Sequence, residues 1–137
     1  MRLPVQALLV HCALVATSSL TEAVFSLPED DQRGGVALAR AFARRAALIC
    51  GFRGNHDDVV LVVNELTTNA VCHGGGPPIV RIFGDLGRVL VEVVDYDATH
   101  PELRAGGWGL KLVAQLSKSW GVTERAGQKV VWCELTA

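Results

Sequence analysis

The sequence predicts an α+β fold, a two-layer α/β sandwich in which helices cover one face of a mainly antiparallel mixed sheet. Apolar residues recur at helical spacing through two consecutive segments in the first half of the chain. Apolar and polar residues alternate in several short segments of the second half, as they do in half-buried strands. The predicted order is one strand, two helices, two strands, one helix and two strands, with no internal repeat and no linker.

The first strand and the first helix are separated by a proline. Residues 22–27 alternate imperfectly and stop at Pro28, which predicts a short strand. Pro28 and the acidic residues after it are typical of the first turn of a helix. Apolar residues continue at helical spacing to Cys50, so the helix is expected to run from Pro28 to Cys50.

The second helix has a polar residue at its start and glycines at its end. Asn55 or Asp57 can cap its first turn, and helical spacing continues to about His73. Residues 74–78 are Gly-Gly-Gly-Pro-Pro, which predicts a C-cap followed by a turn.

The clearest strand is 88–95, which a hairpin connection at 84–87 joins to a strand at 79–83. Its alternation places Val89, Val91, Val93 and Asp95 on one face. Asp95 therefore continues the apolar face, which brings a carboxylate to the end of the sheet.

The last third of the chain predicts a loop, a helix and a closing hairpin. A loop at 96–106 leads through Gly107-Trp-Gly109 into a helix that Trp120-Gly121 ends. Strands at 122–125 and 129–135 then pair around the turn at 126–128.

Composition indicates one globular domain preceded by an apolar segment. Half of the 137 residues are hydrophobic and the formal net charge is −1, so a basic nucleic-acid-binding face is not expected. We divide the chain into an apolar leader of uncertain role at 1–20 and a domain at 21–137. The leader resembles a signal peptide poorly and is marginal as a membrane span. The segment is better explained as a nonessential leader, or as a helix packed on the domain or on a partner, so no membrane partner is expected.

The four cysteines indicate a reducing compartment. None belongs to a C-x-x-C pair or has a histidine at metal-ligand spacing, which argues against zinc. Cys50, Cys72 and Cys133 lie in apolar surroundings and are expected to be small buried side chains of a cytoplasmic protein.

Glu65 and Asn69 are the first candidate site residues. They are four residues apart, so on a helix they point in the same direction. Both lie on the flank of the apolar stripe, at the rim of the core, and not on the solvent face. A carboxylate there can accept a proton, and an amide oxygen can bind Mg²⁺. Taken alone, the pair is better explained as a solvated Glu and a helix-end Asn.

Two further segments suit other parts of a nucleotide. The buried Asp95 can accept a hydrogen bond from an exocyclic amine such as that of adenine. Gly107 and Gly109 let the backbone approach phosphate oxygens, and the N-terminus of the helix that follows adds N–H donors.

The order of these motifs resembles the Bergerat-fold ATP-binding domain shared by gyrase, heat-shock chaperones, histidine kinases and mismatch-repair ATPases. Residues 65–70 resemble its N-box, 94–98 its first glycine box and 107–113 its second. Within that superfamily, Trp-Gly-Val at 120–122 and Val-Trp-Cys-Glu-Leu at 131–135 resemble the actinobacterial anti-sigma factor serine kinases. The resemblance extends over roughly residues 21–136.

The resemblance implies a role for each candidate residue. Asn69 would coordinate Mg²⁺, and Glu65 would position or activate the acceptor hydroxyl. Asp95 would contact adenine. The remaining cofactor-binding residues would cradle the phosphates or begin the helix beneath them: Gly107, Gly109 and Leu110.

The implied partners are a sigma factor and an anti-sigma antagonist protein that carries the acceptor serine or threonine. A homodimer is possible by the same analogy. ATP and Mg²⁺ would be the cofactors.

Three departures from the family pattern leave alternatives open. Asp97 occupies a position that is usually glycine, Trp108 separates the two glycines, and the loop at 96–106 is short for a lid. Lid residues that could contact phosphate are His100, Arg104 and Lys111. A non-catalytic module that only binds partners is therefore the alternative to a kinase. A detached histidine-kinase catalytic domain is less well supported, because no phosphoacceptor histidine on a dimerising helix pair is present.

Overall fold

A computed structural model describes residues 20–73, 76–96 and 108–137 of the chain. These residues form five strands and three helices in the predicted order. Of the sequence predictions, the leader up to residue 19, part of the glycine-proline turn and most of the loop before Gly107 lie outside the described residues. The elements are β1 Thr21–Ser26, α1 Gln32–Ile49, α2 His56–His73, β2 Ile79–Gly84, β3 Arg88–Asp95, α3 Trp108–Leu116, β4 Ser119–Arg125 and β5 Gln128–Thr136.

The strands form one open sheet in the order β1-β2-β3-β5-β4. All four pairings of the described strands are antiparallel, so the predicted α+β class and the mainly antiparallel sheet are confirmed, while the described strands contain no parallel pair that would make the sheet mixed. One hydrophobic core lies between the helices and the inner face of the sheet. Val89, Val91 and Val93 of the central strand point into it and are fully buried, as the alternation predicted.

Helix α1 begins later than predicted. Asp31 is its N-cap, because the Asp31 carboxylate accepts a hydrogen bond of 2.9 Å from the Gly34 amide. Pro28 therefore precedes the helix and does not form its first turn. A capping carboxylate fixes the start of a helix more strongly than the general preference of proline for a first turn.

Alanines bring α1 close to the rest of the core. Ala39, Ala43 and Ala47 are fully buried on its inner side. We expect Ala43→Leu to lower the free energy of unfolding by about 1–3 kcal/mol, because extra methylene groups have no space there. Ala41→Leu is the control, since Ala41 is exposed on the same helix and the substitution should be nearly neutral. Urea denaturation followed by circular dichroism measures both. Equal effects of the two substitutions would contradict this description of α1.

Helix α2 has the cap that the sequence indicated. The Asn55 side-chain oxygen accepts hydrogen bonds from the amides of Asp57 at 2.8 Å and Asp58 at 3.3 Å. Asn55 is therefore the cap, and Asp57 lies in the first turn. The core side of α2 consists of buried apolar residues at helical spacing: Val59, Val62, Val63, Leu66 and Ala70.

The closing hairpin is longer than predicted. Helix α3 already ends at Leu116, and Trp120 and Gly121 belong to β4, so their predicted role in ending the helix is wrong. Gly121 faces Trp132 on β5, and a Cβ atom at Gly121 would lie 2.9 Å from the indole ring. The glycine is therefore explained by the close packing of the Trp132 ring across the strand pair.

The described cysteines differ in exposure. Cys133 is buried, and this burial raises the pKa of its thiol to about 12. Cys50 is half-buried, and burial raises the pKa of its thiol as well. Cys72 is exposed, so its predicted burial is wrong. Cys72 follows the core-facing Ala70 by two residues, which is a rotation of about 200° around the helix, so its side chain points away from the core.

Within the residues described, none of the helices combines the length and the apolar character needed to cross a membrane.

Candidate functional site

The strand register defines one end of the sheet, which we call the Asp95 end. Asp95 at the end of β3 pairs with Lys129 at the start of β5, and Val94 pairs with Ile79 at the start of β2. Helix α2 ends at His73, shortly before β2 begins, so its last turns lie at this same end. Helix α2 also packs against β3 and α3.

Helix α3 begins toward the Asp95 end. The hairpin that joins β4 to β5 closes beside Lys129, whereas β4 starts where Ser119 pairs with Glu134, away from the Asp95 end. Helix α3 ends at Leu116 just before β4, so it ends away from the Asp95 end. Its N-terminal N–H groups therefore point toward that end, where they would favour an anion.

Glu65 and Asn69 occupy the predicted flank of α2. Both side chains are half-buried, whereas Leu66 and Ala70 on the adjoining stripe are buried. Asn69 lies one turn before the end of α2 and is the nearer of the two to the Asp95 end.

The Glu65 carboxylate is connected to α1 through a neighbouring amide. The Asn64 side-chain nitrogen donates a hydrogen bond of 3.1 Å to Glu65 Oε2. The Asn64 side-chain oxygen accepts a hydrogen bond of 2.9 Å from Arg40 Nη1 on α1. Sequence reasoning missed Arg40 and Asn64, because nothing local indicates that residues 24 positions apart are in contact.

Asp95 is buried at the sheet end, as predicted, but it has a cationic neighbour that was not predicted. Lys129 Nζ lies 3.3 Å from Asp95 Oδ2, and the two side chains are only 4% and 6% exposed. A nucleobase amine that bound Asp95 would have to share the carboxylate with this ammonium group. The sequence does contain a signal for this position, since Lys129 alternates with Val131 and Cys133 and therefore belongs to the inner face.

The glycine residues of the second predicted box are only partly described. Gly109 lies in the first turn of α3, and Leu110 is 5% exposed and packs in the core. Leu110 could therefore contact a phosphate only through its backbone. Gly107, Asp97 and the lid residues His100 and Arg104 lie outside the described residues. Lys111 is exposed on α3.

The donor set fits Mg²⁺ bound together with a nucleotide, and does not fit an autonomous metal centre. The described residues contain no group of three or more His, Cys, Asp or Glu side chains placed to hold a metal ion. Mg²⁺ commonly keeps several waters and binds one or two protein oxygens plus substrate phosphates. Asn69 is half-buried, and its amide oxygen could supply one such protein ligand.

Neither a protein-family model nor a curated protein matches this chain. Any function proposed for it therefore depends on the residues themselves and on their arrangement at the Asp95 end.

Proposed function

We propose that this protein is an ATP-binding anti-sigma factor of the Bergerat type, which phosphorylates a serine or threonine of its antagonist and sequesters a sigma factor. One observation supports this most strongly. The register and the connections bring the last turns of α2, the end of β3 and the N-terminus of α3 to one end of the sheet. In this proposal the end of β3 would bind the purine, the N-terminus of α3 would bind the phosphates, and α2 would bind the metal ion and the acceptor hydroxyl.

Each described residue has a physical role in this proposal. Asp95 accepts a hydrogen bond from the adenine amine, and the N-terminus of α3 attracts phosphate through its N–H groups and dipole. Asn69 holds Mg²⁺, which neutralises phosphate charge when it is bound. Glu65 accepts the proton of the acceptor hydroxyl. Asn64 donates to Glu65 Oε2 and so orients this carboxylate.

A second candidate function is a regulatory module that binds partners without transferring phosphate. The Asp95–Lys129 ion pair favours it, because the ammonium group competes with the adenine amine for the same carboxylate. Asp97 and Trp108, which depart from the family pattern, favour it as well.

Phosphate transfer distinguishes the two functions. We expect ³²P to pass from the γ-position of ATP to the cognate antagonist, and we expect Glu65→Gln to slow this transfer about 10²–10⁴-fold. Glu22→Gln is the control, because Glu22 is an exposed carboxylate on β1. Tight binding of a sigma factor without any transfer by the unmodified protein would establish the module and contradict the kinase.

A further inference from the structure

A second candidate site lies between α1 and α2 and adjoins Glu65, because Asn64 in its lining donates a hydrogen bond to Glu65 Oε2. An open groove with a volume of about 450 Å³ lies between the two helices here. Its lining combines two arginines with apolar and polar side chains: Arg40, Arg44, Asp57, Val60, Leu61 and Asn64. We call it the α1–α2 groove.

The α1 wall of the groove carries an excess of positive charge. Arg40 and Arg44 line the groove, and Arg33 lies seven residues before Arg40 on the same side of the helix, outside the groove lining. All three are exposed, and Leu48 continues the same line with 70% of its surface exposed. Among the described residues that line the groove, Asp57 is the one carboxylate that faces these arginines.

The contacts that the arginines make are easily exchanged. Arg44 Nη2 lies 2.8 Å from Asp57 Oδ1, but the side chains are 55% and 78% exposed. Exposed ion pairs of this kind contribute at most about 1 kcal/mol. Arg40 donates to the neutral amide of Asn64, which leaves most of the five N–H donors of its guanidinium for another acceptor. An incoming carboxylate could therefore replace these contacts at little cost.

The floor of the groove suits an apolar side chain. Val60 is half-buried against the core, whereas Leu61 lies farther from the core with 37% of its surface exposed, so both offer apolar surface beside the arginines. An apolar floor beside a row of guanidinium groups matches an amphipathic helix that has acidic residues on one edge.

We propose that the α1–α2 groove binds an acidic, amphipathic segment of a partner protein. The carboxylates of this segment pair with Arg40 and Arg44, and one of its apolar side chains packs on Val60 and Leu61. The proposal does not require a nucleotide, so it can be tested separately from the kinase activity.

Two other occupants fit the groove less well. A second copy of the chain in a symmetric dimer would bring the arginine row against itself, and like charges in contact are unfavourable. A membrane would require a broad apolar face, whereas the apolar side of α1, formed by Ala39, Ala43 and Ala47, is already buried in the core.

Selection from a displayed peptide library determines which side-chain chemistry the groove prefers. Random peptides about five helical turns long are selected on the full-length protein without nucleotide, and the best binder is measured by fluorescence anisotropy. We expect the selected peptides to carry several Asp or Glu residues beside large apolar ones. Arg40→Gln combined with Arg44→Gln should weaken binding of the best peptide at least about tenfold.

Arg45→Gln is the matched control, because Arg45 is exposed on α1 but lies about 100° around the helix from Arg44, outside the groove. This variant should bind the peptide within about twofold of the unmodified protein. Circular dichroism checks that all variants are folded. The proposal is overturned if the selected peptides lack acidic residues, or if the double variant and Arg45→Gln lose affinity equally. It is also overturned if the groove arginines are needed for anionic vesicles or an oligonucleotide but not for the peptide.

Discussion

Replacing Asn69 with alanine is expected to weaken Mg²⁺-dependent binding of ATP at least about tenfold, which corresponds to about 1.4 kcal/mol. Mg²⁺ has few protein ligands when it binds together with a nucleotide. The loss of one amide oxygen would therefore remove a large part of the affinity that the protein contributes to Mg²⁺ binding. Asn69 lies at the surface of α2 and is only half-buried, so the fold should remain stable. A loss of ATP affinity would then result from weaker Mg²⁺ binding and not from unfolding.

Isothermal titration calorimetry with and without Mg²⁺ measures this effect. Thr68→Ala is the matched control, because Thr68 is half-buried on the same helix but points about 100° away from Asn69. Unchanged Mg²⁺-dependent affinity in Asn69→Ala, or an equal loss in Thr68→Ala, would contradict the assignment of the metal ligand.

Replacing Lys129 with methionine should lower the free energy of unfolding by about 3–5 kcal/mol, because removing one partner leaves the buried Asp95 carboxylate without its cation. Adding Asp95→Asn to this variant should recover a large part of the loss, since no buried charge then remains at this position. The effects of the two substitutions on the free energy of unfolding should thus be strongly non-additive, as they are for contacting residues in one polar network.

Urea denaturation of both single variants and the double variant measures this coupling. The Arg44–Asp57 pair is the internal comparison, since it is exposed and its removal should cost at most about 1 kcal/mol. If the effects of the Lys129 and Asp95 substitutions simply add, the two side chains do not form a coupled buried pair.

Strong local patterns predicted most of the secondary structure. The strand at 88–95 has the predicted limits, and Asn55 caps α2 as one of two predicted candidates. The errors occur where a local preference is overridden by a specific contact. Asp31 rather than Pro28 fixes the start of α1, and Gly121 accommodates Trp132 rather than ending a helix.

The positions of the single candidate residues could be predicted from the sequence, but the contacts that these residues make could not. Helical periodicity placed Glu65 and Asn69 on the flank of α2, and strand alternation placed Asp95 on the inner face of the sheet. Periodicity cannot show that Arg40 reaches Asn64, or that Lys129 lies beside Asp95, because these contacts join segments that are distant in sequence. The contacts matter for the proposal, since they orient the candidate base and occupy the carboxylate that adenine would need.

The central claim is that distant segments meet around one nucleotide, and an NMR titration of ¹⁵N-labelled protein tests it most directly. The titrant is Mg²⁺ with a non-hydrolysable ATP analogue. We predict that backbone amides near Asn69, at Asp95 and in the first turn of α3 from Trp108 shift together with one dissociation constant, while those of Arg40 and Arg44 respond little. Shifts confined to one of these segments, or centred on the α1–α2 groove, would contradict the account.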